Sequence, residues 1–261
     1  MAGSFIGEYA QLFLLVLARV GGVFSFAPVL SRTNVPMIAR AGTSMLIAFV
    51  AVSVMPPASF LVDLSFPIGV YVIMILREYV IGAVLGLVTT WFFQMILVSG
   101  DVIDMQAGLG MAKVFDPASR MQMSLVGSVF NFMLYFYYLA TNSHLTFIKI
   151  MTDSFAVLPL GDGGFPETLM PYILTLFTDI FILAIKLILP ITIAELITQF
   201  AVGIMMKSVP QIQIMVLNIE VKVVVGIFLL FIIITPTAEF IDKYLTQWLY
   251  TLVGVMEQIA A

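Results

Sequence analysis

Long apolar runs separated by short polar segments dominate the chain. Crossing the hydrocarbon core of a bilayer as a helix takes ~20 apolar residues, and several of the runs are long enough to do so. The pattern therefore predicts an all-α polytopic membrane protein built of long kinked helices and helical hairpins. The predicted helical runs are 9–26, 41–55, 68–98, 125–140, 171–189, 191–206 and 223–234.

The third run, 68–98, is longer than a bilayer requires. Either it is one helix that tilts or extends beyond the membrane, or it is two elements that meet at Arg77 and Glu78. Glu78, Gly82 and Gly86 follow at a spacing of four, which places them on one helix face. Small residues at this spacing permit close helix approach, so the pattern predicts a tightly packed helix pair with a polar contact at Glu78.

The segment 99–127 gathers charges, glycines, a proline and methionines between two apolar runs. Helix breakers and charges are costly at membrane depth unless the backbone is buried in protein or lines a cavity. Thioether side chains make adaptable contacts. We interpret the segment as a Met-rich constriction inside a membrane pore. The alternative is an ordinary loop at the membrane face.

Asp101 and Asp104 are three residues apart, so they share a helix face if the helix extends that far. Two such carboxylates are able to bind a cation or relay protons. The favoured interpretation is that they lie at the water interface and are hydrogen-bonded to their neighbours.

The second half of the chain has three features of its own. Pro190 is expected to kink or end the run 171–189. Glu195 and Gln199 lie one turn apart on one face. Residues 207–222, KSVPQIQIMVLNIEVK, are expected to form a polar connector. Basic residues alternate between segments, which places the N-terminus outside and the basic connectors in the cytoplasm, and the first run is interpreted as a retained helix.

Composition narrows the function classes. The 261 residues are 62% hydrophobic and 10% charged, with a mean hydropathy of +1.13; a soluble domain is about 25% charged. The 11 basic residues are scattered and the net charge is −4, which gives nucleic-acid binding no electrostatic basis. There is no cysteine and one histidine, His144. We find no metal-ligand spacing, nucleophile motif or phosphate-binding loop, so we predict a non-enzyme without cofactor or metal.

Five stretches in order resemble the FliR family, members of the export gate of the flagellar type III secretion system, with SctT as the injectisome counterpart. The resemblance covers nearly the whole chain, and the combination of R-E-x-x-I-G with I-D-x-Q-x-G…D-P is specific. One departure is Asn218-Ile219-Glu220, where the family usually has Gly-Phe-Pro. The stretches are ARVGGVFSFAPVLSRTNVP, REYVIGAVLG, SGDVIDMQAGLGMAKVFDP, NSHL and SVPQIQ, the last followed by Lys222 and Gly226.

The resemblance implies a single export-gate domain over 1–261 in the bacterial inner membrane and flagellar basal body. It would have FliP-like helices at 1–144 and a FliQ-like hairpin at 171–241. Implied partners are FliP-like and FliQ-like subunits in a helical assembly, FlhB-like and FlhA-like export proteins, unfolded protein substrates and membrane lipid.

The family's plug loop maps onto about 107–122. Three groups of residues are expected to be functional. The expected plug residues are Gly108, Leu109, Gly110, Met111, Phe115, Asp116, Pro117 and Met121. The expected buried polar and assembly contacts are Arg77, Glu78, Gly82, Gly86, Asp101, Asp104 and Gln106, with Lys186 and Glu195 as further contacts between subunits. The expected cytoplasmic turn facing partners comprises Pro210, Gln211, Gln213 and Lys222.

Two other functions stay open at this point. One is the injectisome member of the same family. The other is an ion-coupled secondary transporter that uses Asp101, Asp104 and Glu78 as ligands near broken helices.

Overall fold

A computed structural model describes residues 2–28, 36–54, 67–110, 124–161, 164–208 and 214–260. Over these ranges the chain is helical with no strand, which confirms the all-α prediction. The helices are α1 (Ala2–Phe26), α2 (Met37–Val54), α3 (Ile68–Gln106), α4 (Leu125–Ala140), α5 (Ser143–Val157), α6 (Leu169–Ser208) and α7 (Ile214–Ala260). Four of them contain stretches long and apolar enough to cross a membrane: Tyr9–Phe26, Ile68–Gln106, Leu169–Met205 and Glu220–Ala260.

Three helices are far longer than a bilayer is thick. At 1.5 Å per residue, α3 with its 39 residues spans about 58 Å, against ~30 Å of hydrocarbon core. It passes Arg77 and Glu78 without a break, so the two-element alternative is wrong. It also continues past Val98 to Gln106, which places Asp101 and Asp104 on its last turns.

Proline does not end the other long helices. Pro190 lies inside the 40-residue α6, and Pro236 lies inside the 47-residue α7. Each proline removes one backbone hydrogen bond, a loss that membrane helices tolerate when neighbouring groups compensate. The expected connector 207–222 is also shorter than predicted, because α6 runs to Ser208 and α7 begins at Ile214.

The helix ends follow local chemistry. α1 ends at Phe26, one residue before the Ala27–Pro28 pair that disfavours helical geometry. Ser124 caps α4: its hydroxyl accepts a hydrogen bond from the Gly127 backbone N–H at 2.7 Å. Asn142 joins α4 to α5 in a left-handed conformation with φ 55°, which asparagine adopts more readily than most residues.

The helices group into two compact units that interleave along the chain. The first unit comprises Met1–Phe92, Asn142–Phe177 and Gln247–Ala261. α1 packs on α2 within it, and its core includes Trp248, whose Nε1–H donates to Thr89 Oγ1 at 3.3 Å. The Trp248 indole also lies 5.2 Å, centroid to centroid, from the Phe147 ring.

The second unit comprises Phe93–Thr141 and Thr178–Thr246. Within it, α4 packs on the last turns of α3, where Phe93 lies 5.6 Å from the Tyr135 ring and 5.7 Å from the Tyr138 ring. A Cβ at Gly100 would collide with the backbone of Gly127. The two glycines therefore allow the backbones of α3 and α4 to touch.

Candidate functional site

A buried ion pair joins α1 to α3 within the first unit. Arg19 on α1 and Glu78 on α3 are 1% and 0% exposed, and Arg19 Nε donates to Glu78 Oε2 at 2.7 Å. The second carboxylate oxygen accepts from the Gly161 backbone N–H at 3.2 Å. Both Glu78 oxygens are thus used inside the chain, and a buried charge pair of this kind is stable only with such complete bonding.

The guanidinium of Arg19 is satisfied on its other sides as well. It donates to the carbonyl oxygens of Ser154 at 3.1 Å and Leu158 at 2.9 Å, and its Cζ lies 4.5 Å from the centroid of the Phe155 ring. These contacts close the C-terminal end of α5 onto α1. We call Arg19, Glu78, Ser154, Phe155 and Leu158 the arginine cluster.

Glycines make the ion pair geometrically possible. A Cβ at Gly82 would collide with the Arg19 carbonyl, and one at Gly86 would collide with the Val23 carbonyl. A Cβ at Gly22 would in turn collide with the Tyr79 carbonyl. The backbones of α1 and α3 therefore touch, as the glycine spacing predicts for a packed helix pair, and this contact lies within one chain.

Asp104 organises the start of the expected plug segment. Its carboxylate is 2% exposed and accepts from the α4 backbone N–H groups of Leu125 at 2.5 Å and Val126 at 3.1 Å. A carboxylate at a helix N-terminus is stabilised by the unpaired N–H groups and the helix dipole. In this structure Asp104 therefore fixes the end of α3 to the beginning of α4, while Asp101 is half-buried.

The first plug residues follow directly. Gly108 ends the helical path with φ 74°, a conformation that favours glycine. The Gly110 N–H then donates to the Asp104 carbonyl at 3.1 Å. Gly108, Leu109 and Gly110 are half-buried. Five expected plug residues lie outside the described residues: Met111, Phe115, Asp116, Pro117 and Met121.

The remaining expected contact residues are spread over the fold. Gln106 accepts from Thr192 on α6 at 2.8 Å, and Arg77 is half-buried with interactions of its own. Lys186 is exposed and Glu195 is buried. Lys222 is half-buried on α7, and Pro210, Gln211 and Gln213 lie outside the described residues. No group of three or more acidic, histidine or cysteine side chains suited to a metal ion occurs among the described residues.

The sequence analysis did not identify Arg19 as the partner of Glu78. Arg19 and Glu78 are 59 positions apart, and nothing in spacing alone joins them. The available signal was the pair of small-residue stretches: Gly21-Gly22 follows Arg19 closely, as Gly82 and Gly86 follow Glu78. One glycine-lined face carries a positive charge and the other a negative charge, so the two faces are suited to pack against each other.

Comparison with known proteins decides the family. The model for "Bacterial export proteins, family 1" matches residues 10–248. The chain belongs to this family. Among curated relatives, it is 26% identical to the flagellar biosynthetic protein FliR of Escherichia coli K12 over 252 residues, 97% of this chain and 95% of that protein.

Two further relatives match most of the chain. The chain is 27% identical to FliR of Bacillus subtilis 168 over 225 residues, 84% of this chain and 85% of that protein. It is 24% identical to the surface presentation of antigens protein SpaR of Salmonella typhimurium LT2 over 248 residues, 90% of both chains. The predicted resemblance to the FliR family is thereby confirmed.

Proposed function

We propose that this protein is a core subunit of the flagellar type III export gate in the bacterial inner membrane. With FliP-like and FliQ-like subunits it would form the channel through which unfolded flagellar substrates leave the cytoplasm, next to FlhB-like and FlhA-like partners. The observation that carries the proposal is the family match over 10–248 together with relatives named flagellar biosynthetic protein FliR over most of the chain.

The surfaces of the long helices support an assembled state. In the most apolar 18-residue stretch of α6 only 28% of the residues are buried within the chain, and in that of α7 only 11%. Large apolar side chains are exposed on these helices, including Phe200 at 72%, Phe228 at 65% and Phe231 at 75%. Exposed apolar surface of this extent is covered by lipid or by protein, and the proposed assembly would cover part of it with partner subunits.

Native mass spectrometry tests the assembly. The tagged protein is co-expressed with the products of its neighbouring genes and extracted in mild detergent. A large complex that holds this chain with several small multi-helix partners is the expected result. A stable monomer or homodimer that does not bind those partners contradicts the proposal and favours the ion-coupled transporter.

We further propose that the segment at about 107–122 plugs the closed pore. Its support is the position of the described part, since Gly108–Gly110 follow the α3 end that Asp104 fixes to α4. Deleting 111–121 should make membranes of cells that express the complex permeable to ions. Unchanged conductance, with the complex still assembled, excludes a plug.

The injectisome gate is the second candidate, supported by the 24% identity to SpaR. The flagellar form is preferred because FliR relatives reach 29% identity, over 91% of this chain. Expression in a strain that lacks both its own FliR and its own injectisome counterpart separates the two: restored motility supports the flagellar role, and restored injectisome secretion without motility supports the other.

A further inference from the structure

A buried carboxyl group with no hydrogen-bond partner among the described residues lies at the junction of α3, α6 and α7. Glu195 on α6 is 1% exposed, and neither of its carboxylate oxygens has a hydrogen-bond partner within the described ranges. The contrast with Glu78 is direct, because both oxygens of that equally buried residue are bonded. An ionised carboxylate left bare in an apolar interior is so costly that the group is neutralised instead.

Close packing defines the surroundings of Glu195. A Cβ at Gly226 on α7 would lie 2.6 Å from Ala107 Cβ and 3.3 Å from Glu195 Oε1. Ala107 directly follows the last residue of α3, and the C-terminal carbonyls of a helix carry partial negative charge. The partial negative charge at this end of α3 disfavours a negative charge on the Glu195 carboxyl group.

Two amide side chains lie near Glu195 along α3 and α6. Gln106 on α3 is engaged by Thr192, one turn before Glu195, and Gln199, one turn after it, is exposed. Among the described residues, Lys222 on α7, one turn before Gly226, places a positive charge that favours the ionised form of Glu195. Lys222 is half-buried, and no ion pair joins it to Glu195 in this arrangement.

We propose that Glu195 is a proton-binding site. The carboxyl group is neutral in the arrangement described. When it ionises, its proton passes to solvent water, and the Lys222 ammonium, which keeps its own charge, becomes the ion-pair partner of the carboxylate. Proton release at Glu195 is thereby linked to the packing of α3, α6 and α7. The site goes beyond the export role and stands without it, since it rests on contacts within one chain.

Infrared difference spectroscopy on the purified protein, alone or in its complex, tests the site. The expected result is a carbonyl band of a protonated carboxyl group that disappears as the pH is raised. The band should move when glutamate is ¹³C-labelled at the side-chain carboxyl, and vanish in Glu195→Gln. It should persist in Glu239→Gln, which changes an exposed glutamate on α7. In Lys222→Met the band should persist to higher pH, because the charge that favours the carboxylate is gone.

Three results overturn the proposal. One is the absence of a titrating glutamate band in the wild type, a measurement that does not depend on any variant folding. Another is a band that survives in Glu195→Gln. The third is a band that sodium removes at constant pH and constant ionic strength, since a metal cation then occupies the site. Loss of assembly with the band intact contradicts the export proposal and leaves this one standing.

Discussion

The arginine cluster predicts a strong energetic coupling between two residues 59 positions apart. Glu78→Gln keeps the shape of the side chain and removes its charge. Arg19→Met keeps much of the length and removes the guanidinium. Because each residue is 0–1% exposed, either change leaves the partner buried with an uncompensated charge. Each single variant should lose about 3–5 kcal/mol of unfolding free energy.

The double variant should be less damaged than the sum of the two. Once one charge is gone, removing the other also removes the buried, unpaired charge that caused the cost. The carbonyls of Ser154 and Leu158 still lack the donors they have in the wild type, at about 1 kcal/mol each. We therefore expect a coupling energy of about 2–3 kcal/mol, within the range for residues in direct contact.

Reversible denaturation in mild detergent measures the four proteins of this cycle. Lys186→Met serves as the control, since it removes an exposed charge from the apolar helix α6 and should change stability by less than about 0.5 kcal/mol. Additive losses in the double variant would refute the reasoning, because they would mean that the 2.7 Å pair contributes no interaction of its own.

Two further predictions concern backbone contacts and the plug base. Gly82→Leu should prevent the α1–α3 contact and sharply reduce the yield of folded protein, because its Cβ meets the Arg19 carbonyl, whereas Gly21→Leu on the same helix pair meets nothing within 4 Å. Equal yields on size-exclusion chromatography would contradict this. Asp104→Asn should cost about 1–2 kcal/mol in thermal unfolding through its α4 cap, and the half-buried Asp101→Asn much less. The reverse order would point to ion binding at Asp101.

The sequence pattern predicted a helix correctly where neighbouring residues alone determine its ends. Residues 125–140 were predicted correctly, since an apolar run rich in aromatic residues begins after Ser124, whose hydroxyl caps the helix. The end of α3 was placed too early, near Val98. Considered alone, Gly100 and Asp104 suggest that the helix breaks. In the fold, Gly100 packs against the backbone of Gly127, and the Asp104 carboxylate accepts hydrogen bonds from the N–H groups of α4. Such tertiary compensation has no signal in the local sequence.

The start of α7 was missed for a related reason. Gln211, Gln213 and Asn218 led to the prediction of a polar connector, yet residues 214–222 are mostly apolar and contain neither glycine nor proline. Glu195 was recognised as a polar residue in an apolar run and expected to contact another subunit. Its position beside Gly226 and Ala107 in the same chain depends on how three helices pack, which periodicity does not determine.

Site-specific crosslinking of a transported substrate tests the central claim most directly. A photoreactive amino acid is placed at Leu109, half-buried at the start of the plug segment, or at Ile38, which is 86% exposed on α2. An export substrate fused to a tightly folded domain is then arrested during passage. The account predicts crosslinks to the substrate from Leu109 and not from Ile38. Crosslinks from neither position, while the substrate is shown to be arrested in the gate, would contradict a channel at this segment.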